Sequence, residues 1–218
     1  MEKIDVSSLY SLQDKVLELV YSVETGFYLT GGTCLHRFYH EDRYSVDLDL
    51  FSSDNTLFRQ DTRSIFMALK DAGVRFEPIV DTRDFVRIIA EDELKIDLVN
   101  DRVFRVGKNI RHKSGIMLDN IQNISANKIC AVLGRDDPKD VFDLYSINVR
   151  HLPDWSKTIA HAAKKCVIDP ETLYFRLNSF PFELIEMVHV VSRDFVAKMK
   201  QEYNSMVRDI TGWQRDGL

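Results

Sequence analysis

The hexapeptide VDLDLF at residues 46–51 alternates apolar and acidic side chains with period two. On an extended strand, residues i and i+2 share a face and lie roughly 6.5–7 Å apart. Asp47 and Asp49 therefore project together, while Val46, Leu48 and Leu50 project to the other side. The segment predicts a strand with one apolar and one acidic face. Aspartate is disfavoured in strands, and two like charges on one face repel. Either that face is solvated or something positive lies against it. A divalent cation meets the second condition, and Mg2+ prefers carboxylate oxygens, water and phosphate.

The pattern around this strand divides the chain. Leu9, Leu12, Val16, Leu17 and Val20 recur at helical spacing over residues 8–23. FYLT (27–30) reads as a short strand ending in Gly31-Gly32, with a helix over 33–41 directly after it. A helix over 56–72 is closed by Gly73, and three more strands follow: VRFEPIV (74–80), DFVRIIAE (84–91) and LKIDLVN (94–100). Beyond about residue 120 only helices are expected, over 123–133, from Pro138 onward, and over 154–167, 170–178 and 182–211. Asp137 is a good N-cap for the helix that starts at Pro138, and Pro153, Pro170 and Pro181 punctuate the rest. The fold class is α+β: residues 1–120 as a mixed sheet with helices, then an all-α region over 121–218 packed against it without a flexible linker.

Global properties narrow the function classes. The formal charge is −5, from 29 Lys plus Arg against 34 Asp plus Glu, which argues against broad non-specific nucleic-acid binding but not against a local basic patch. Cys34, Cys130 and Cys166 are widely spaced and odd in number, so no disulfide framework or zinc knuckle is signalled. Each is expected to pack as a small apolar residue in a reduced, cytoplasmic setting. The stretch MEKIDVSSLYSLQDK lacks a signal-peptide core, and no run reaches the roughly 18 apolar residues of a membrane span.

A third carboxylate stands where nothing local explains it. Asp97 lies mid-strand in LKIDLVN. If the strands of 46–51 and 94–99 are neighbours, Asp97 joins Asp47 and Asp49, and three such ligands suit two Mg2+ ions about 3.5–4 Å apart. Gly31, Gly32 and Thr33 lie between a strand and a helix, where free backbone N–H groups bind anions and glycine lets a phosphate approach. The Thr33 hydroxyl offers a further donor.

Together these motifs resemble the nucleotidyltransferase superfamily related to DNA polymerase β. The closer form, LTGGTCLHRFYHEDRYSVDLDLF with NKICAVLGRDDPKDVFDLYSI downstream, resembles the AbiEii/AbiGii toxin family of abortive-infection and toxin–antitoxin systems. The likeness covers about residues 25–150. It implies a nucleotidyltransferase-type sheet domain and a Mg2+-dependent enzyme that transfers a nucleoside monophosphate from an NTP and releases pyrophosphate. By the pattern K-x(6)-R-x(4)-D-x-x-D it implies Lys128 as a triphosphate contact, Arg135 as a second phosphate or base contact, and Asp140 and Asp143 as active-site residues orienting Lys128 or the acceptor. Asp143 reads alternatively as a structural partner of Lys139. Ser45 and Arg43 flank the acidic strand where relatives carry R-x-S-x-D-x-D, and are implied to position the loop or a phosphate. His40 fits a commonly basic position.

The acceptor is left open. The likeness suggests RNA, including tRNA, and a cognate antitoxin protein. RVFRVGKNIRHK (102–113) reads equally as a phosphate-tracking segment and as a solvated loop. Transfer to a protein or small-molecule hydroxyl, or a non-catalytic nucleotide-binding or partner-binding module, are the alternatives.

Overall fold

The computed structural model describes residues 5–212. The chain forms two compact units. The first comprises the chain up to His40, Tyr44–Val103 and Lys108–Asp119; the second comprises Glu41–Arg43, Phe104–Gly107 and the chain from Asn120 onward.

The first unit is built on a seven-stranded mixed sheet. Its strands are β1 (Tyr28–Thr30), β2 (Leu48–Ser53), β3 (Phe76–Asp81), β4 (Phe85–Ala90), β5 (Leu94–Asp101), β6 (Ile110–Arg111) and β7 (Met117–Leu118). The order across the sheet is β3-β4-β5-β2-β1-β7-β6. β2 runs parallel to β5 and antiparallel to β1, while β4 pairs antiparallel with both β3 and β5. The alternation in the sequence becomes the two faces of this sheet. Leu48, Leu50, Val86, Ile88, Leu94, Ile96 and Leu98 are fully buried on one face. Each such side chain contributes roughly 1.5–3 kcal/mol by leaving water. Two helices, α1 (Val6–Ser22) and α3 (Phe58–Asp71), pack together in this unit. α1 buries the stripe Leu9, Gln13, Val16, Leu17 and Val20, and Asp5 caps it by accepting from the Ser7 and Ser8 N–H groups. Strands β6 and β7 are two residues each, too short for any periodicity to reveal.

The segment after β1 differs from the regular helix expected over 33–41. A short α-helix, α2 (Gly31–Cys34), begins on the glycines themselves and continues as a π-helical turn over Leu35–Tyr39. That turn closes with the His40 N–H on the Leu35 carbonyl, the i to i−5 bond that defines it.

The second unit is helical: α4 (Ile121–Gly134), α5 (Pro138–His151), α6 (Trp155–Ala162), α7 (Pro170–Asn178) and α8 (Arg193–Thr211). Side-chain caps define the starts. Asn120, Asp137, Asp154, Asp169 and Ser192 each accept a backbone N–H of the first turn, and Pro138 and Pro170 occupy the first helical positions. Two expected helices are shorter. The one expected over 154–167 ends at Ala162, where Lys164 turns back to His161 and Lys165 to Ala162 with i to i−3 bonds. The one expected over 182–211 is a 3-10 turn (Phe182–Met187) and then α8, because Val190 bridges Arg43 and the Val191 N–H donates to the Asp42 carbonyl.

The cysteines correct an expectation. Cys34 is buried as expected, but Cys130 and Cys166 are half-buried free thiols facing each other, Sγ to Sγ 2.6 Å. Among the described residues no helix is long and apolar enough to cross a membrane.

Candidate active site

β2 and β5 are adjacent, and their register sets Asp49 directly beside Asp97. Asp47 lies one residue ahead of β2 and two before Asp49, on the same side of the chain. The row continues across the sheet: Arg87 of β4 pairs with Asp97, and Thr30 of β1 pairs with Asp49. Three carboxylates thus share one face, opposite the packed apolar face. Asp47 and Asp49 are half-buried and Asp97 is 7 % exposed.

Two cations on that face answer the electrostatic conflict posed by the sequence. Arg87 grips Asp97 with both ends of its guanidinium, Nε to Oδ1 and Nη2 to Oδ2, each 2.7 Å. Lys95 Nζ lies 2.8 Å from Asp47 Oδ2. The hydrogen bond to Asp97, outweighing partial desolvation and helped by the charges of Asp97, Asp47 and Asp49, raises the Arg87 pKa. Neither cation belongs to a motif. Lys95 stands two residues before Asp97 and therefore on its face, and Arg87 stands mid-strand among apolar residues; both signals were present in the sequence.

The glycine turn meets the acidic strand directly. Gly31 has φ +68°, a left-handed conformation, and a Cβ placed there would lie 2.3 Å from Asp49 Oδ2. The first glycine is therefore required twice, by its backbone and by the carboxylate against it. Gly32 and Thr33 are buried in α2. The Thr33 hydroxyl lies 2.8 Å from the Ser45 hydroxyl and donates to the Asp47 carbonyl. With 1 % of Thr33 exposed, that hydroxyl is committed to the protein, so the further phosphate donor expected from it is not presented. Ser45 is held on each side: its N–H donates to the Tyr10 hydroxyl, and its carbonyl accepts from Gln13 Nε2. Thr33 and Ser45 thus fix the backbone that delivers Asp47.

The downstream residues form a second cluster, within the helical unit. Lys128 of α4 is 7 % exposed and places Nζ 2.8 Å from Asp140 Oδ1 and 2.5 Å from Asp143 Oδ2, both on α5. Arg135, at the end of α4, grips Asp140 with Nε (2.6 Å) and Nη2 (3.0 Å). Arg43 grips Asp143 with Nε (2.6 Å) and Nη2 (2.9 Å). The alternative partner for Asp143, Lys139, is replaced by Arg43 and Lys128. Asp140 and Asp143 are fully buried, and three cations surround two carboxylates. Burial alone would lower the Lys128 pKa, but Asp143 and Asp140 outweigh it and hold the ammonium above its ordinary value. Burial likewise opposes ionisation of Asp140, and Lys128 and Arg135 overcome it, so its carboxyl titrates below its usual range. Lys128 is thereby held charged and in one rotamer.

The basic stretch 102–113 falls partly in each unit and is largely exposed, with Ile110–Arg111 in β6. Arg102 pairs with Asp54 and Asp84. Val106 is clamped by its N–H to Asn123 Oδ1 and its carbonyl from Asn120 Nδ2.

Residues 21–216 match the family described as nucleotidyl transferase AbiEii toxin, type IV TA system. No curated protein matches the chain. Among solved structures, the chain is similar to a candidate nucleotidyltransferase from H. pylori, with 18 % identity, 98 % of each chain covered and TM-score 0.61. JHP933 from Helicobacter pylori is 16 % identical over 98 % of this chain and 97 % of that one, TM-score 0.59. MenT4, a nucleotidyltransferase toxin from Mycobacterium tuberculosis H37Rv, is 14 % identical over 94 % and 84 %, TM-score 0.56. At these identities the likeness establishes a shared fold.

Proposed function

The chain belongs to the AbiEii nucleotidyl transferase toxin family, and on that premise we propose that it transfers a nucleoside monophosphate from an NTP to an RNA hydroxyl, tRNA included, in a Mg2+-dependent reaction. The observation that carries this reading is the row of carboxylates: Asp49 in register with Asp97, Asp47 on the same face, and the left-handed Gly31 against Asp49. The donor set fits Mg2+. It is all oxygen, partly open to solvent, and carries enough negative charge that two side-chain cations lie on it.

Asp47 and Asp49 would hold two Mg2+ ions, with Asp97 as a further ligand. When bound, such ions polarise phosphoryl oxygens and lower the pKa of a coordinated hydroxyl. The protein's own part is placement. Thr33 and Ser45 fix the backbone before β2, and the sheet register fixes Asp97 against Asp49. Gly31 and Gly32 would take a phosphate on their backbone N–H groups. Lys128 is kept ionised as a triphosphate contact by Asp140 and Asp143, with Arg135 as a second phosphate or base contact. Asp97 accepts the proton of the acceptor hydroxyl. The hydroxyl oxygen bonds to the α-phosphorus, the bond to the bridging oxygen breaks, and pyrophosphate leaves.

As a family of type IV toxin–antitoxin systems, its members imply an antitoxin partner. Incubation of the protein with each α-32P-labelled NTP, Mg2+ and total RNA tests the acceptor. Label in a discrete RNA band with the intact protein, and none with Asp49→Ala, is the expected result. Label in protein or in a small molecule instead would overturn the RNA assignment.

A further inference from the structure

We propose that Arg87 and Lys95 are resident counter-ions of the acidic face, with which metal ions compete for Asp97 and Asp47, and which then turn to the phosphates of the incoming nucleotide. The inference rests on the metal-binding reading above and adds a regulated order to it.

The geometry carries it. Each of the two outer carboxylates already has a cation at hydrogen-bond distance: Arg87 on Asp97 through two bonds of 2.7 Å, and Lys95 on Asp47 through one of 2.8 Å. The Arg87 pair takes one lone pair of each Asp97 oxygen, so a metal ion reaching that carboxylate meets a guanidinium already bound to it, and the two positive charges compete for it. Arg87 and Lys95 side chains are 36 % and 33 % exposed, so each has solvent into which to move. A guanidinium that fits a carboxylate bidentately fits a phosphate equally well. Divalent ions on the carboxylates add positive charge to a face that Arg87 and Lys95 already meet, and the anionic triphosphate offsets that added charge while giving the released cations a partner.

Two thermodynamic consequences follow. Metal alone binds more weakly than the carboxylates would allow, because it competes with the protein's own cations. Metal and nucleotide bind cooperatively, because the triphosphate gives the displaced cations a new partner; linkage requires the same coupling in both directions. Removing Arg87 should tighten metal binding and reduce that coupling. Loss of packing or of folding would weaken it instead.

The test is Mn2+ binding followed by the electron paramagnetic resonance of free Mn2+. It compares the wild type, Arg87→Gln, Arg87→Lys and Lys95→Gln, with Asp49→Asn as the blank, each with and without a non-hydrolysable NTP. Arg87→Gln should bind Mn2+ about tenfold more tightly in the absence of nucleotide, the order expected for one removed charge in a partly solvated site. Lys95→Gln should show a smaller gain, since it makes a single bond to a more exposed carboxylate. Arg87→Lys should stay near the wild type. The nucleotide should strengthen Mn2+ binding less in Arg87→Gln than in the wild type. If the wild type binds Mn2+ and neither Gln variant binds it more tightly, the displacement account is wrong while the metal site stands. If no protein binds Mn2+ above the Asp49→Asn blank, the metal site itself is wrong and the displacement account falls with it.

Discussion

A β-carbon on Gly31 would fall 2.3 Å from Oδ2 of Asp49, with the Gly31 backbone at φ +68°. The turn after β1 and the carboxylate on β2 are therefore one fitted pair, and neither tolerates a change in the other. Gly31→Ala should cost about 1–2 kcal/mol from the left-handed backbone alone. It should cost more in function, because the added methyl pushes Asp49 off the row it shares with Asp97. Thermal unfolding together with Mn2+ titration checks this: a modest fall in Tm with a large loss of metal affinity is expected. Unchanged Mn2+ affinity would show that Asp49 does not have to sit where it does.

The helical unit makes a prediction about order rather than size. Lys128→Met leaves Asp140 on Arg135 and Asp143 on Arg43, so every buried charge keeps a partner. Asp143→Asn removes the carboxylate that the almost wholly buried Arg43 grips with two nitrogens and that Lys128 also touches. Removing one partner of a buried charge pair costs roughly 3–5 kcal/mol. Chemical denaturation should therefore find Asp143→Asn more destabilising than Lys128→Met, with NTP transfer lost in both. The reverse order of stability would mean that Lys128, not Asp143, anchors the cluster.

The same cluster sets an acid limit. The folded-state pKa of Asp140 lies below its ordinary value of 3.8, held there against burial by Lys128 and Arg135. Its contribution to stability is complete above the unfolded-state pKa and is lost as pH falls through the folded-state value. The folded-state pKa of Lys128 lies above 10.5, so its contribution is complete below that value and is lost only as pH rises through the folded-state pKa. Between these limits the pair adds no pH dependence. Unfolding free energies measured from pH 7 down should fall more steeply below about pH 4 in the wild type than in Asp140→Asn. Parallel profiles would remove Asp140 from the account.

Much of the carboxylate face was legible because strand periodicity is local. VDLDLF states its own two faces, and Asp97 stands out in LKIDLVN without any knowledge of its neighbours. What the sequence leaves open is register. That Asp49 stands opposite Asp97, and Arg87 opposite Asp97 in turn, depends on hydrogen bonding between strands whose order is not encoded in any one of them. Arg87 and Lys95 are not legible as partners of these carboxylates for that reason, although the two-residue spacing from Lys95 to Asp97 puts those two residues on one face. The Arg43–Asp143 pair joins residues 100 apart, and no local pattern announces it. The π-helical turn at Leu35–Tyr39 has no local signature: its side chains suit an ordinary helix.

The central claim is that Asp47, Asp49 and Asp97 form one metal-dependent centre for nucleotidyl transfer. The most direct measurement is pyrophosphate release from NTPs in the presence of RNA, with and without Mg2+, for the wild type and for Asp97→Asn, whose fold is verified by circular dichroism. Mg2+-dependent release by the wild type, abolished by EDTA and reduced by at least about a hundredfold in a folded Asp97→Asn, is the predicted result. Release that persists in Asp97→Asn, or that does not require a divalent ion, would contradict it.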